Sequence, residues 1–163
     1  MGTPPKQRKK YSKPKHPWRI ERIEEESDLE KTYGLKNKKE IWKTKSMLRG
    51  FRGQARRLLA ETGEEAEKER KDLLAKLRRM GVVDSDNLDD VLAVKETDIL
   101  DRRLQTIVYR KGYSNTIKHA RQLITHKHVK VGDHKVNVPS YLVPKHEEDQ
   151  VALAEAYAKS VTQ

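Results

Sequence analysis

The chain has 163 residues, of which 36 are lysine or arginine and 25 are acidic, so its formal net charge is +11. Only 34% of the residues are hydrophobic and 37% are charged, whereas a free globular protein of this size usually contains more apolar material. Small cores offset little of the entropy lost on folding, so we expect a polyanionic partner to supply part of the order. The absence of cysteine excludes disulfides, thiol catalysis and cysteine-based zinc sites.

No apolar run approaches the roughly 20 residues that a membrane-spanning helix needs, and the amino terminus lacks the apolar core of a secretory signal. We therefore expect a soluble, cytoplasmic protein with no membrane partner. Nucleic acid is the favoured partner, because neutralising closely spaced phosphates releases counterions and rewards a high density of basic side chains.

Residues 1–36 are predicted to form an extended basic arm. Over residues 1–22 eight basic residues stand against the single acid Glu21, and four prolines interrupt the stretch. A solvated tail is the alternative interpretation. Trp18 beside Arg19 favours contact with a partner, because an indole ring can stack or pack at an interface.

Residues 37–98 are predicted to be a helical RNA-binding region. Asn37 and Glu40 have the spacing of a helix start, and apolar residues then recur at helical spacing from Leu48 to Leu59. Over residues 36–59 nine basic residues stand against Glu40 alone. The candidate RNA-binding residues of this helix are Lys38, Lys45, Arg49, Arg52 and Arg56.

Two further helices are predicted before residue 99. The first has Thr62 and Glu65 at capping-box spacing and ends at Gly81, and the second is a short helix around Leu88 and Val91. Residues 84–101 carry seven acids and only Lys95. We expect this acidic segment to turn away from RNA or to meet a basic neighbouring protein.

Residues 99–146, the C-terminal module, are predicted to contain two helices and a β-hairpin. The first helix carries an apolar face from Ile99 to Val108 and ends at Gly112, and Thr116 or Asn115 caps the second. Alternating valines on both sides of Gly132-Asp133 then indicate a hairpin with a tight turn. The fold class is therefore α+β and mostly helical.

The C-terminal module is strongly basic. Residues 102–146 contain ten basic residues and five histidines against the single acid Asp133. The candidate RNA-binding residues are Arg102, Arg103, Arg110, Ser114, Thr116, Lys118, Arg121, Gln122, Lys127, His128 and Lys130.

Residues 100–141 resemble the RNA-binding module named for small-subunit ribosomal protein four. The matching stretches are Arg102-Arg103-Leu104, Val108-Tyr109-Arg110, Ala120-Arg121-Gln122-Leu123, His126-Lys127-His128 and Val136-Asn137-Val138-Pro139-Ser140-Tyr141. Upstream stretches resemble the archaeal and eukaryotic branch of the same family. They are His16-Pro17-Trp18, Tyr33-Gly34-Leu35-Lys36-Asn37-Lys38 and Ala55-Arg56-Arg57-Leu58-Leu59.

The resemblance implies a structural constituent of the small ribosomal subunit. It implies direct binding to a multi-helix junction in the 5′ domain of small-subunit rRNA, early in assembly and near the channel through which mRNA enters. The implied partners are this rRNA, neighbouring ribosomal proteins and mRNA, with no homo-oligomer. The alternative is an rRNA-processing or assembly factor with the same module, and a secondary role as translational repressor or RNA chaperone is compatible with either.

Three positions depart from the family pattern. Gln105 stands where the family often has Asp, Gly132-Asp133 stands where an Asn-Gly turn is common, and His119 replaces a frequent Glu. These departures concern local contacts and leave the module itself recognisable.

Other chemistries have weaker support. His126 and His128 are two residues apart with Asp133 and His134 nearby, but no cysteine accompanies them, so we expect no metal site. Gly50 and Gly53 are spaced as in a KH-domain loop but lie inside a helical stripe, where they either permit close approach of RNA or weaken the helix. No catalytic motif is present, so we predict neither an enzyme nor a cofactor.

Residues 147–163 form an acidic, alanine-rich tail with the composition of a final helix.

Overall fold

The computed structural model describes residue 5 and residues 8–154, so the predictions for residues 1–4, 6–7 and 155–163 lie outside the described residues. The helices are α1 (Ile20–Thr32), α2 (Lys38–Ala60), α3 (Glu64–Arg79), α4 (Leu88–Ala93), α5 (Glu96–Asp101), α6 (Leu104–Arg110) and α7 (Ile117–Thr125). The strands are β1 (Val129–Val131), β2 (His134–Lys135) and β3 (Val151–Leu153), with a 3₁₀ turn at Lys145–Glu147. The mostly helical α+β class is confirmed. None of the helices in the described ranges is both long and apolar enough to cross a bilayer.

The arm is extended only as far as Arg19, and the expectation of extended chain to residue 36 is wrong because α1 occupies Ile20–Thr32. The periodicity of α1 is weak in sequence because its one fully buried side chain is an acid, Glu26. Glu26 accepts a hydrogen bond from Trp42 Nε1 at 3.1 Å and lies 2.7 Å from Arg22 Nη1. Contacts with α2 therefore stabilise a helix that hydrophobic patterning does not reveal.

Helices α2, α3 and α4 build the first hydrophobic core. Buried residues of α2 recur at helical spacing from Leu48 to Leu58 and meet Leu73 and Leu77 of α3. Helix α2 begins at Lys38 as predicted, but Asn37 makes no side-chain cap, and the Glu40 carboxylate accepts from Arg121 instead of completing a capping box. Helix α3 begins after Gly63, so the predicted Thr62 cap is wrong.

The first helix predicted for the C-terminal module is two helices, α5 and α6, that break at Arg102-Arg103. The segment following the hairpin inserts its backbone at the break. Leu104 N donates to Tyr141 O at 2.8 Å, and Val143 N donates to Arg102 O at 2.9 Å. An apolar stripe at helical spacing predicts where side chains are buried, but it cannot reveal that a segment distant in the chain takes over the backbone hydrogen bonds.

Helix α7 has well-defined ends. Thr116, one of the two predicted caps, accepts a hydrogen bond from His119 N at 3.1 Å through its hydroxyl. After the C-cap, Lys127 has φ of 61°. Its backbone N donates to Ile124 O, and His128 N donates to Leu123 O, both at 2.9 Å. These two bonds form a Schellman motif, in which glycine usually takes the left-handed position. A lysine there carries a conformational cost of about 1–2 kcal/mol.

The hairpin joins a three-stranded antiparallel sheet in the order β2-β1-β3. The predicted two-residue turn at Gly132-Asp133 is present, since Val131 pairs with His134 and Gly132 has φ of 57°. The expectation of a helical tail is wrong for residues 151–153, because β3 pairs with β1. Val151 fills the module's core beside Val129, and that burial fixes the segment as a strand.

Gln105 joins the C-terminal module to the preceding helices. Its side chain is fully buried, and Nε2 faces the carbonyl oxygens of Gly34 and Ile117 at 3.0 Å and that of Tyr33 at 3.3 Å. The family's frequent Asp could not donate to these carbonyls. Gly34 fits closely here, with φ of +55°, and an added Cβ would lie 2.7 Å from Ile117 Cγ2.

Glu40 links α2 to the C-terminal module through two ion pairs. Its carboxylate accepts from Arg103 Nη2 at 2.5 Å and from Arg121 Nη2 at 2.8 Å, and the three side chains are 14%, 5% and 24% exposed. Burial by itself would raise the pKa of Glu40, but the hydrogen bond from Arg121 and the charge and hydrogen bond of Arg103 outweigh it and lower that pKa. The charged carboxylate is therefore the form that holds the two parts together.

Replacing this anion tests its contribution to stability. We expect Glu40→Gln to lower the free energy of unfolding by about 2–4 kcal/mol at pH 7, because the buried guanidinium of Arg103 and the partly buried one of Arg121 lose their counterion. The loss should shrink as the pH falls below roughly 4.3 and through the lowered pKa of Glu40, since protonation then removes the same charge from the wild type. Urea unfolding of both proteins at pH 7 and at a pH below roughly 4.3 measures the difference in stability.

The matched control is Glu69→Gln. Glu69 pairs with Arg57 at the surface, where both side chains are half exposed, so its loss should change stability little. A Glu40→Gln chain that is as stable as the control at pH 7 would contradict the role assigned to Glu40.

Candidate nucleic-acid interface

Helix α2 carries a continuous basic stripe beside its buried face. Its five predicted site residues lie seven, four, three and four positions apart, which places them on one side of an α-helix. At 1.5 Å per residue the stripe extends about 27 Å. Arg49 and Arg56 are exposed, whereas Lys38, Lys45 and Arg52 are partly buried. Arg52 Nη2 also donates to Val94 O at 2.5 Å, which holds its side chain against α4.

A second basic surface is an open cleft of about 430 Å³ between the loop after α1 and helix α7. The loop contributes Lys36, and α7 contributes Lys118, Arg121 and Gln122. Lys36, Lys118 and Gln122 are exposed, while Arg121 extends from the cleft to Glu40. The structure therefore brings three predicted site residues together and adds Lys36, which sequence reasoning counted among the basic residues without selecting it.

The turn from α7 to β1 carries a third group of predicted site residues. Lys127 is exposed at the left-handed position of the Schellman motif. The rings of His126 and His128 are nearly parallel, with centroids 6.2 Å apart, and both residues precede β1. His128 and Lys130 are partly buried and each has a contact within the protein. Among the described residues no three His, Asp or Glu side chains are grouped as metal ligands.

The arginines of the module's first predicted helix are engaged within the protein. Arg102 pairs with Glu148 at 2.6 Å and donates to Val143 O at 2.9 Å, and Arg103 is buried on Glu40. Arg110 is 57% exposed but pairs with Asp101 at 2.6 Å. Arg103 can reach a phosphate only by leaving Glu40, so we assign it a structural position.

Asp101 is shared by two partners at the base of α6. Tyr33 donates to Asp101 Oδ1 at 2.9 Å from its hydroxyl, and Arg110 approaches the same oxygen. Burial and then the hydrogen bond to Asp101 raise the pKa of Tyr33 to about 12, so the phenol stays protonated at neutral pH. The hydrogen bond to Asp101 raises the pKa of Arg110 despite partial burial. This cluster fixes the orientation of Arg110.

Two small residues complete the predicted set. Ser114 is 7% exposed, and its hydroxyl has no hydrogen-bond partner among the described residues. Thr116 is exposed, and its hydroxyl oxygen caps α7. Their predicted contacts with RNA stay predictions, and Thr116 has a structural role in addition.

Sequence reasoning missed the residues that organise these surfaces. Glu40 and Gln105 were noted as a helix-start signal and as a departure from the family, but neither was selected as a contact between domains. Glu40 is nevertheless the single acid among nine basic residues over positions 36–59, a signal that a paired charge is present. Lys13 and Lys15 of the arm were also left out, and they line a cleft against α2.

Comparison with known proteins identifies the family of the chain. The family profile for the S4 domain matches residues 102–151, which cover α6, α7 and the sheet as far as the start of β3. The small ribosomal subunit protein uS4 of Methanococcus aeolicus is 50% identical over 154 residues, 93% of this chain and 87% of the relative. Those of Ignicoccus hospitalis and Hyperthermus butylicus are 50% and 51% identical over 94% and 98% of this chain, and 93% and 92% of the relatives.

The similarity extends well beyond the S4 domain into the arm and helices α1–α4, because the alignments cover nearly the whole chain. About half of the aligned residues are identical to proteins of archaea. The chain therefore belongs to the small ribosomal subunit protein uS4 family, in its archaeal and eukaryotic branch.

Proposed function

We propose that this protein is a structural component of the small ribosomal subunit that binds its rRNA directly. The observation that carries the proposal is the arrangement of two basic surfaces, the stripe on α2 and the cleft beside α7, on elements that Glu40 clamps together. Folded RNA is recognised largely through its shape and its phosphates, which require cations at fixed separations. Curated relatives of similar length carry the name of a small-subunit protein, which supports the same conclusion.

The finer proposal concerns the place and time of binding. A protein with two rigidly connected basic surfaces can contact several RNA helices at once, as a junction requires. We propose a multi-helix junction of the 5′ domain, binding early in assembly, and a position near the channel through which mRNA enters. Cytoplasmic ribosomes are then the location, and neighbouring subunit proteins and mRNA are further partners.

Ultraviolet crosslinking in native cells tests this function. The attached RNA is sequenced, and the crosslinked particle is located on a density gradient. Crosslinks concentrated in the 5′ domain of mature small-subunit rRNA within translating ribosomes are expected. Crosslinks confined to precursor rRNA would instead indicate the assembly factor, and crosslinks scattered over tRNA or messages would contradict both.

The cleft beside α7 should contribute phosphate contacts that can be counted. We expect the double replacement Lys36→Gln/Lys118→Gln to weaken rRNA binding and to lower the slope of log affinity against log salt by roughly two contacts. Lys68→Gln/Lys71→Gln, on the exposed surface of α3, removes the same charge and should leave the slope nearly unchanged. Filter binding at several salt concentrations measures both, and equal slopes in the two variants would contradict a site at this cleft.

Lys127 should show opposite effects on folding and on binding. We expect Lys127→Gly to raise the free energy of unfolding by about 1 kcal/mol, because glycine tolerates the left-handed conformation. It should also weaken rRNA binding by roughly one phosphate contact. Lys127→Ala serves as the control, since it removes the charge without relieving the strain. Unchanged rRNA affinity in both variants would remove Lys127 from the interface.

The two glycines of α2 distinguish close RNA approach from simple helix weakness. A Cβ at Gly50 or Gly53 would have no neighbour within 4 Å, so nothing in the described fold requires glycine there. We expect Gly50→Ala/Gly53→Ala to stabilise the free protein by roughly 1–2 kcal/mol in total. Weaker rRNA binding by this more stable chain would indicate that RNA backbone approaches α2 at the glycines, and unchanged binding would indicate helix weakness alone.

A further inference from the structure

A separate cleft of about 250 Å³ lies between the N-terminal arm, α1 and α2. The arm covers one side of it from Ser12 to His16, and α2 closes the other side with Trp42, Lys45 and Arg49. None of the arm residues was among those selected for RNA contact from the sequence. The cleft lies away from the C-terminal module in the chain, so the S4 domain does not account for it.

The arm is fixed against α2 by specific contacts. Ser12 N donates to Ser46 Oγ at 3.1 Å, and Arg49 Nη1 donates to Ser12 Oγ at 3.0 Å. The rings of Tyr11 and Trp42 lie 6.1 Å apart and add an apolar contact. The walls of the cleft are therefore formed in the protein itself, which lowers the conformational cost of binding a ligand there.

The charge of the cleft is unbalanced. Glu26, 1% exposed at its floor, pairs with Arg22 at 2.7 Å and lies 4.0 Å from Lys45, and Arg19 pairs with Glu21 at 2.6 Å. These acids neutralise the cations near α1. Three further cations at the cleft, Lys13, Lys15 and Arg49, have no carboxylate partner among the described residues and are exposed. A cleft with this excess of positive charge favours an anion.

An exposed aromatic ring belongs to the segment that borders the cleft. Trp18 is 87% exposed and lies in the chain between His16 and Arg19, which both line the cleft. A large apolar side chain left in water is unfavourable, and indole rings at binding surfaces commonly stack on a partner. Because residues on both sides of Trp18 line the cleft, we expect a nucleobase attached to a phosphate there to reach this ring.

We propose that the cleft binds one unpaired nucleotide of the RNA, with its phosphate held by Lys13, Lys15 and Arg49. The base stacks on Trp18. This site rests on the proposed rRNA binding and adds to it a place where the protein takes a base out of the helical stack. An unpaired nucleotide fits better than a protein surface, because it joins a phosphate, which the cations attract, to a base that can stack on an aromatic ring.

The test uses the full chain and small-subunit rRNA in binding titrations at several salt concentrations. We expect Lys13→Gln/Lys15→Gln to lower the salt slope by roughly two contacts, with Lys68→Gln/Lys71→Gln as the matched control. Trp18→Leu should weaken binding about fivefold or more, and Trp18→Tyr should restore most of the affinity because a tyrosine ring can also stack. Thermal unfolding checks that each variant is folded, as expected for replacements of exposed side chains.

The outcomes separate this site from the general function. If the wild-type chain binds rRNA and the arm variants bind it with the same affinity and the same salt slope, the nucleotide site is overturned and the rRNA-binding function stands. A wild-type chain that fails to bind overturns both. Affinity that depends on Lys13 and Lys15 but not on Trp18 also overturns the nucleotide site, because the phosphate contacts would then not involve a stacked base.

Discussion

The contact between α2 and the C-terminal module depends on one partly buried carboxylate, that of Glu40. Both parts are strongly basic, so close packing would place like charges against each other. Glu40 removes that repulsion by accepting Arg103 and Arg121 together, and both guanidinium groups come from the module. Gln105 and Gly34 then close the same contact without charge, through carbonyl hydrogen bonds and a close backbone approach. The relative placement of the two basic surfaces follows from this arrangement.

Arginine and lysine have different roles in this chain. Arginine provides most of the ion pairs recorded among the described residues, including those at Glu26, Glu40, Asp101 and Glu148. A planar guanidinium forms several directed hydrogen bonds and suits partly buried pairs. Lys36, Lys118 and Lys127 remain exposed at the candidate interface. Composition alone gives both residue types equal weight, but the structure uses most arginines in ion pairs and leaves these three lysines exposed.

Acids of the segment 84–101 also form ion pairs within the chain. The sequence predicts that this segment turns away from RNA or meets a basic neighbouring protein. Asp84 pairs with Lys145 and Asp86 with Arg78, while Asp101 receives Tyr33 and Arg110. The basic neighbours of these acids belong to the same chain. The segment therefore orients cations around the module, and it also reduces the self-repulsion of a protein with net charge +11.

The sequence by itself determined the features that depend on nearby residues. The length of α2, the Thr116 cap of α7 and the turn at Gly132-Asp133 follow from periodicity, capping and backbone preference within a few positions, and the family follows from motifs that are continuous in sequence. Only the tertiary structure decided the break at Arg102-Arg103, the strand β3 and the fate of each arginine. Those outcomes rest on partners far along the chain, since Glu40 is 63 residues from Arg103 and 81 from Arg121. Local patterns state that a side chain is charged or apolar, but the distance between two groups is set only when the chain has folded.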